Sequence, residues 1–252
     1  MTALTDRSIR KLCTAPDAFI KFGEAHAWTP IWAHYMNEQE LLTFEQLKAS
    51  DEAKDGMSVM DHRSGRKWRL PKDHETESFV PMVAPYFGEK VKVDEKGNKI
   101  ASFGASSMGY DIRCAPEFKL FKGVDGEPID YKNIRDDQFE TIFADQVILP
   151  PNSFVLSRSM ERVQIPKDVL VLCIGKSTPA RAAISCLCTP LEPGWGGYVT
   201  LEFANTSNQP VILYAGEGAV QLVFLQGDGE CDNPYGDGKY QSQGASIILP
   251  RV

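Results

Sequence analysis

No stretch of this 252-residue chain approaches the eighteen or so consecutive apolar residues that a membrane-spanning helix needs. The opening MTALTDRSIRK has no apolar segment of the secretory kind, so a soluble, cytoplasmic protein without a membrane partner is expected. Histidine is scarce: His26, His34, His62 and His74 all fall in the first 75 residues. Cysteine is present but unpatterned. Cys13, Cys114, Cys173, Cys186, Cys188 and Cys231 form no disulfide framework, and Cys186-Leu187-Cys188 lacks the second pair that a structural zinc requires. They read as reduced, small hydrophobes, and no metal ligands are assigned. Positive charge is in deficit, with 27 Lys and Arg against 34 Asp and Glu and a net charge of -7. That balance argues against a duplex nucleic-acid binder, whose footprint is a basic patch, and leaves free nucleotides open. Internal repeats are absent, and the nearest thing to low complexity is the Asp-Gly-rich loop 227–238.

What the chain has is concentrated in residues 175–205, GKSTPARAAISCLCTPLEPGWGGYVTLEFAN. Gly175-Lys176-Ser177-Thr178-Pro179-Ala180-Arg181 sets two cations and two hydroxyls behind a glycine that lets backbone N–H groups approach an anion. A triphosphate suits such a turn, as does plain solvent. It is not a Walker A loop, since one glycine precedes the Lys-Ser pair and Pro179-Ala180 does not open a P-loop helix. From Tyr198 to Phe203 the pattern alternates, placing Val199, Leu201 and Phe203 on one strand face and Thr200 and Glu202 on the other. The pattern alone leaves Glu202 either solvated, salt-bridged, or turned to a ligand or subunit.

From about residue 99 onward, short apolar runs are punctuated by Gly, Pro and Asn: 154–156, 169–174, 199–203, 211–213, 220–225 and 247–249. This is the pattern of a mainly β protein of sandwich or barrel type. The first 98 residues differ. Thr29-Pro30 reads as an N-cap followed by proline at the first helical position, with helical character over 32–42. Thr43-Phe44-Glu45-Gln46 fits a capping box, and the charged, turn-rich 51–72 reads as loop.

Five ordered blocks, GKST-x-AR, TPLEPGW, VTLEF-x-NTS, AVQLVF and GKYQSQ, resemble the dCTP deaminase family in its bacterial branch. The resemblance continues upstream through SSMGYDIRCAPEFKLF and ILPPNSFVLSRSMERVQIPKDVLVLCIGKS, covering about 99–251, with weaker echoes at 6–12 and 79–87. It implies a distorted jelly roll or β-barrel of the trimeric dUTPase-like type over 99–252. The N-terminal segment 1–98 then carries a helical insertion at about 13–78, read as surface decoration. It also implies a homotrimer with active sites between subunits, and dCTP and dUTP as substrate and product.

For deamination, water attacks cytosine C4 and ammonia leaves. The zinc deaminases carry a His-x-Glu and a Pro-Cys-x-x-Cys; neither occurs here, so water activation is expected without protein-held zinc. The resemblance makes Glu202 the acid–base residue, with Ser177 and Arg181 assisting. Thr178, Pro179, Ala180, Lys176, Thr200, Leu201, Gln221, Tyr235 and Gln243 become nucleotide contacts. Lys239 neutralises the triphosphate, which brings Mg2+ with it. Asp111 in GYDIR is read as structural.

Several positions depart from the family pattern. Pro179 replaces a bulky residue, Ala182-Ala183 replaces a pair that contains glycine, Leu187 a polar residue and Met108 an aromatic. A modified cytosine nucleotide is therefore a further substrate option. Two other readings stay open: a dUTP diphosphatase or bifunctional enzyme, and a non-catalytic nucleotide-binding protein.

Overall fold

The computed structural model describes residues 2–13, 19–22, 27–30, 58–61, 66–69 and 81–251. These fall into two compact units, Met1–Ile9 with Phe87–Val252, and Arg10–Tyr86. In chain order the elements are β1 (Thr2–Ala3), α1 (Asp6–Cys13), β2 (Phe19–Phe22), β3 (Ala27–Pro30), β4 (Ser58–Asp61), β5 (Arg66–Arg69), β6 (Val83–Ala84), β7 (Val91–Val93), β8 (Lys99–Ser106), β9 (Gly109–Arg113) and β10 (Glu117–Phe121). There follow β11 (Phe139–Phe143), β12 (Gln146–Leu149), β13 (Phe154–Gln164), β14 (Val169–Gly175), α2 (Ser177–Arg181), β15 (Ile184–Leu187), β16 (Gly196–Asn205), β17 (Val211–Tyr214) and β18 (Gly218–Gln226).

The smaller unit corrects two expectations. Thr29-Pro30 does not cap a helix; both residues lie in β3, paired with β2. Nor is 51–72 all loop, since β4 and β5 form a hairpin within it. β-Branched and aromatic residues such as Ile20, Phe22, Thr29 and Trp68 give these segments strand character that the local cap signals obscured. The helical stretch 32–42 and the capping box 43–46 lie outside the described residues.

The larger unit is mainly β, as expected. One sheet runs β1-β18-β9-β8-β7 with β14 also on β18, and another runs β11-β10-β13-β16-β15. Neighbouring strands are antiparallel, and a separate ribbon pairs β12 with β17. The arrangement is of the distorted jelly-roll type, with the sheets open rather than closed into a barrel. Tyr110, Ile112, Phe118, Leu201, Phe203 and Phe224 are buried at its centre. The run 247–249 forms no strand; Ile247 packs on Phe139 and Leu156 as core without a ladder.

The inward row of β13 is polar: Ser157, Ser159 and Glu161 are each fully buried. Every one is satisfied. Glu161 takes Arg113 Nε at 2.7 Å and the Arg113 backbone N–H at 2.8 Å, while Ser159 Oγ accepts the Val199 N–H at 2.9 Å. The Arg113 guanidinium is sandwiched 4.7 Å from the Phe87 ring and 4.6 Å from Phe103.

Two backbone positions shape the surroundings of residues 175–205. A Cβ on Gly197, at φ +150°, would lie 2.7 Å from the Gln243 nitrogen, so only glycine lets the C-terminal segment approach β16 this closely. Ala183 lies at φ +60°, immediately before β15. Its carbonyl accepts both the Thr206 N–H, at 3.0 Å, and the Thr206 hydroxyl, at 3.1 Å, which fixes the strained conformation. A left-handed alanine costs roughly 1–2 kcal/mol, less the extra chain entropy that a glycine would lose on folding. Ala183→Gly is therefore expected to stabilise the protein by about 1 kcal/mol in urea unfolding; a lower midpoint than that of the parent would contradict the assignment.

Candidate active site

The expected strand is β16. Its buried row is Val199, Leu201, Phe203 and Asn205, and Glu202 and Thr200 stand half-buried on the other face. Cross-strand register sets Leu156 of β13 on one side of Glu202 and Leu187 of β15 on the other. Leucine cannot hydrate or hydrogen-bond a carboxylate. Burial accordingly pushes the Glu202 carboxyl up to about 7, and its own backbone N–H and the Cys188 thiol pull partly in the opposite direction. This is the range in which a carboxyl exchanges protons at neutral pH.

The C-terminal segment closes one end of β16. The Trp195 indole donates to the Tyr240 carbonyl at 2.8 Å, and Gly196 N donates to the Gln241 side chain at 2.8 Å. Gln243, nearly buried, accepts the Thr200 hydroxyl at 3.2 Å and the Tyr198 N–H at 3.0 Å. Tyr235 receives the Tyr240 N–H on its hydroxyl at 3.1 Å. Lys239 is exposed, its amine 5.7 Å from the Tyr240 ring. Thr200 and Gln243 thus meet on the face of β16 that also carries Glu202, and Tyr235 braces the covering segment.

The other expected residues gather around α2. Lys176 points inward: its amine lies 2.5 Å from the buried Asp111 carboxylate and 2.6 Å from the Ser102 carbonyl. Lys90 reaches the same Asp111 oxygen at 3.3 Å. Asp111 therefore anchors the turn, as its structural reading requires. Gln221, opposite Asp111 in register, donates to Ser106 Oγ at 3.1 Å. Ser177, Thr178 and Arg181 are exposed, and Arg181 reaches back to the Ser177 carbonyl at 3.3 Å. Pro179 is half-buried, Ala180 exposed and Leu201 buried in the core. Beside α2 opens a cleft of about 200 Å³ lined by Thr178, Pro179, Ala182, Ile212, Tyr214 and Glu217. Among the described residues no hydrogen bond or ion pair joins the α2 group to the Glu202 group. They form two separate groups within one chain.

Cys186 and Cys188 were read as packing residues, and their sulfurs lie 3.6 Å apart, both half-buried. Among the described residues no cluster of three or more His, Cys, Asp and Glu is placed to hold a metal ion.

The raised Glu202 carboxyl has a stability consequence whose sign is fixed. The folded state holds this proton up to about pH 7 and the unfolded chain releases it near 4.5, so folding stability falls as pH rises through that window. The full effect is about 3 kcal/mol. Glu202→Gln is expected to remove that pH dependence and to be more stable than the parent at pH 8. Parallel stability curves for the two proteins from pH 4.5 to 8 would show that Glu202 is not desolvated.

The family model described as dCTP deaminase-like matches residues 90–227. The dCTP deaminase of Albidiferax ferrireducens is 49% identical over 173 residues, spanning 68% of this chain and 91% of that protein. That of Psychrobacter arcticus is 49% identical over 175 residues, with the same coverage. The crystal structure of 2'-deoxycytidine 5'-triphosphate deaminase from Agrobacterium tumefaciens matches over 49% of this chain and 40% of that one, at 16% identity and a TM-score of 0.40. The family model and the relatives at this identity establish that the chain belongs to the dCTP deaminase family.

Proposed function

We propose that this protein hydrolyses dCTP to dUTP and ammonia in the cytoplasm, with Glu202 as the acid–base residue. The observation that carries the reading is a half-buried carboxyl between two leucines, held near neutrality on the strand that the family motif marks. In the ionised form Glu202 takes a proton from water as its oxygen bonds to cytosine C4. That proton passes to the ring nitrogen, and a second transfer lets the amine leave as ammonia, so one carboxyl serves both steps. The arriving substrate is the magnesium complex of dCTP, its cation held by triphosphate oxygens. Lys239 meets the phosphates, and the 176–181 turn, Thr200, Gln221, Tyr235 and Gln243 make the remaining nucleotide contacts.

The two separate groups support a homotrimer in which Ser177 and Arg181 of one subunit face Glu202 of the next. There Arg181 steadies developing charge and Ser177 holds the water or the amine. Ile148, Ile212 and Tyr214 lie exposed on the β12–β17 ribbon, two of them lining the cleft beside α2, and give such a subunit contact an apolar surface. The unit Arg10–Tyr86 is read as an appendage to this catalytic domain.

Incubation with dCTP and Mg2+ is expected to yield dUTP, and Glu202→Gln to yield none above background. Accumulation of dUMP would select the bifunctional alternative, and binding without turnover the non-catalytic one. Glu202→Gln and Arg181→Ala should each be inactive alone. Mixed, reassembled trimers should recover activity, about a quarter of sites being intact at equal mixing in a closed ring of subunits. Absence of recovery in verified mixed trimers would place the whole site in one chain.

A further inference from the structure

Among the described residues one pair of sulfurs meets: Cys186 Sγ and Cys188 Sγ lie 3.6 Å apart, and both residues are half-buried free cysteines. The chain holds them unequally. Cys186 lies within β15, opposite Phe203 of β16, whereas Cys188 follows the last rung of that ladder, the Leu187–Glu202 pair, and is flanked by the exposed Leu187 and Thr189. Its sulfur also meets the Thr200 carbonyl at 4.0 Å. Two residues along an extended strand span about 6.6 Å, near the upper limit of the Cα separation that a disulfide bridges and about 1 Å beyond its usual value. Closing a bond between these sulfurs therefore shortens the chain locally. Cys186 is fixed by its ladder, so the movement falls on residue 188 and on the Leu187–Glu202 rung beside it.

We propose that Cys186 and Cys188 are a reversible modification site for hydrogen peroxide, closing to a disulfide that draws residue 188 toward β15, displaces Leu187 from Glu202 and slows deamination. The loss of activity rests on the acid–base role of Glu202; the thiol chemistry does not. Cys188, outside the ladder and between exposed neighbours, reacts first. Its thiolate attacks one peroxide oxygen, the O–O bond breaks, and Cys188 becomes a sulfenic acid while the other oxygen leaves as hydroxide and is protonated to water. Contact with Cys188 and burial hold the Cys186 thiol protonated far above the ordinary thiol range, so Cys186 is the slower nucleophile and takes the second step. Its sulfur attacks the sulfenic sulfur 3.6 Å away, the S–O bond breaks, and the hydroxyl leaves as water with the Cys186 proton. In total the two sulfurs lose two electrons and two protons and the peroxide gains them. A disulfide closed against the extension of its strand is easily reduced, the property that separates regulatory from structural bonds, and a dithiol reductant restores both thiols.

The test treats the reduced protein with hydrogen peroxide, removes the excess, and follows the mass of the peptide that carries both cysteines together with dUTP formation from dCTP and Mg2+. The peptide should lose two hydrogens, and kcat should fall about tenfold or more, as a misplacement near 1 Å beside a reacting group allows. Dithiothreitol should reverse both changes. Cys188→Ser should form no such bond and keep its activity under the same treatment. Cys186→Ala should stop at the first step, with a sulfenic acid on Cys188 that dimedone traps. A peptide of unchanged mass would overturn the proposal, as would a disulfide that leaves kcat unchanged or an inhibition that persists in Cys188→Ser. If Cys188→Ser does not fold, Cys188→Ala is read in the same way. Failure of the deaminase assignment is separate: the reduced protein would then make no dUTP, while the peptide mass still decides whether the disulfide forms.

Discussion

The pairing of Glu161 with Arg113 joins strands of different sheets, and much of the larger unit is arranged around it. Glu161 comes from the middle of β13, where register with β16 shifts between Arg158 and Arg162. Arg113 ends β9 and brings its guanidinium between two phenylalanine rings. A carboxylate that is fully buried survives only when both oxygens are served, and here a side chain and a backbone N–H serve them. Removing one partner from such a pair leaves an uncompensated charge in the core, at a cost of about 3–5 kcal/mol. The irregularity in β13 is held by the neighbouring Ser159, which bonds across to β16. The strand that carries Glu202 therefore inherits its position from a buried ion pair on the adjacent strand.

That position determines the chemistry. A half-buried strand face normally puts its acids in water, but β16 lies between two strands that present leucines in register with Glu202. Desolvation raises the carboxyl, and Gln243 of the closing segment bonds Thr200 on the same strand face. The α2 group is built by different means: a buried Asp111 pulls Lys176 inward and leaves Ser177 and Arg181 displayed. The Glu202 group relies on exclusion of water and the α2 group on a salt bridge beneath the surface.

Strand content and the two faces of β16 were legible because alternation over 198–203 is a local signal. The β2–β3 and β4–β5 hairpins were not, since Thr29-Pro30 carries a strong helix-start signal that pairing with Phe19–Phe22 overrides. The run 247–249 looked like a strand but found a core site without a ladder partner. Ala183 has positive φ, within the Ala182-Ala183 pair that stands where the family pattern has a glycine.

Ala183 also bears on how the entry to β15 is held. An alanine in a glycine conformation persists only where its surroundings over-determine it, and here Thr206 does so with two hydrogen bonds to one carbonyl. The start of β15 is thereby clamped to the residue just beyond the end of β16, so the two strands that flank the Glu202–Leu187 register are locked at their far end by a single residue.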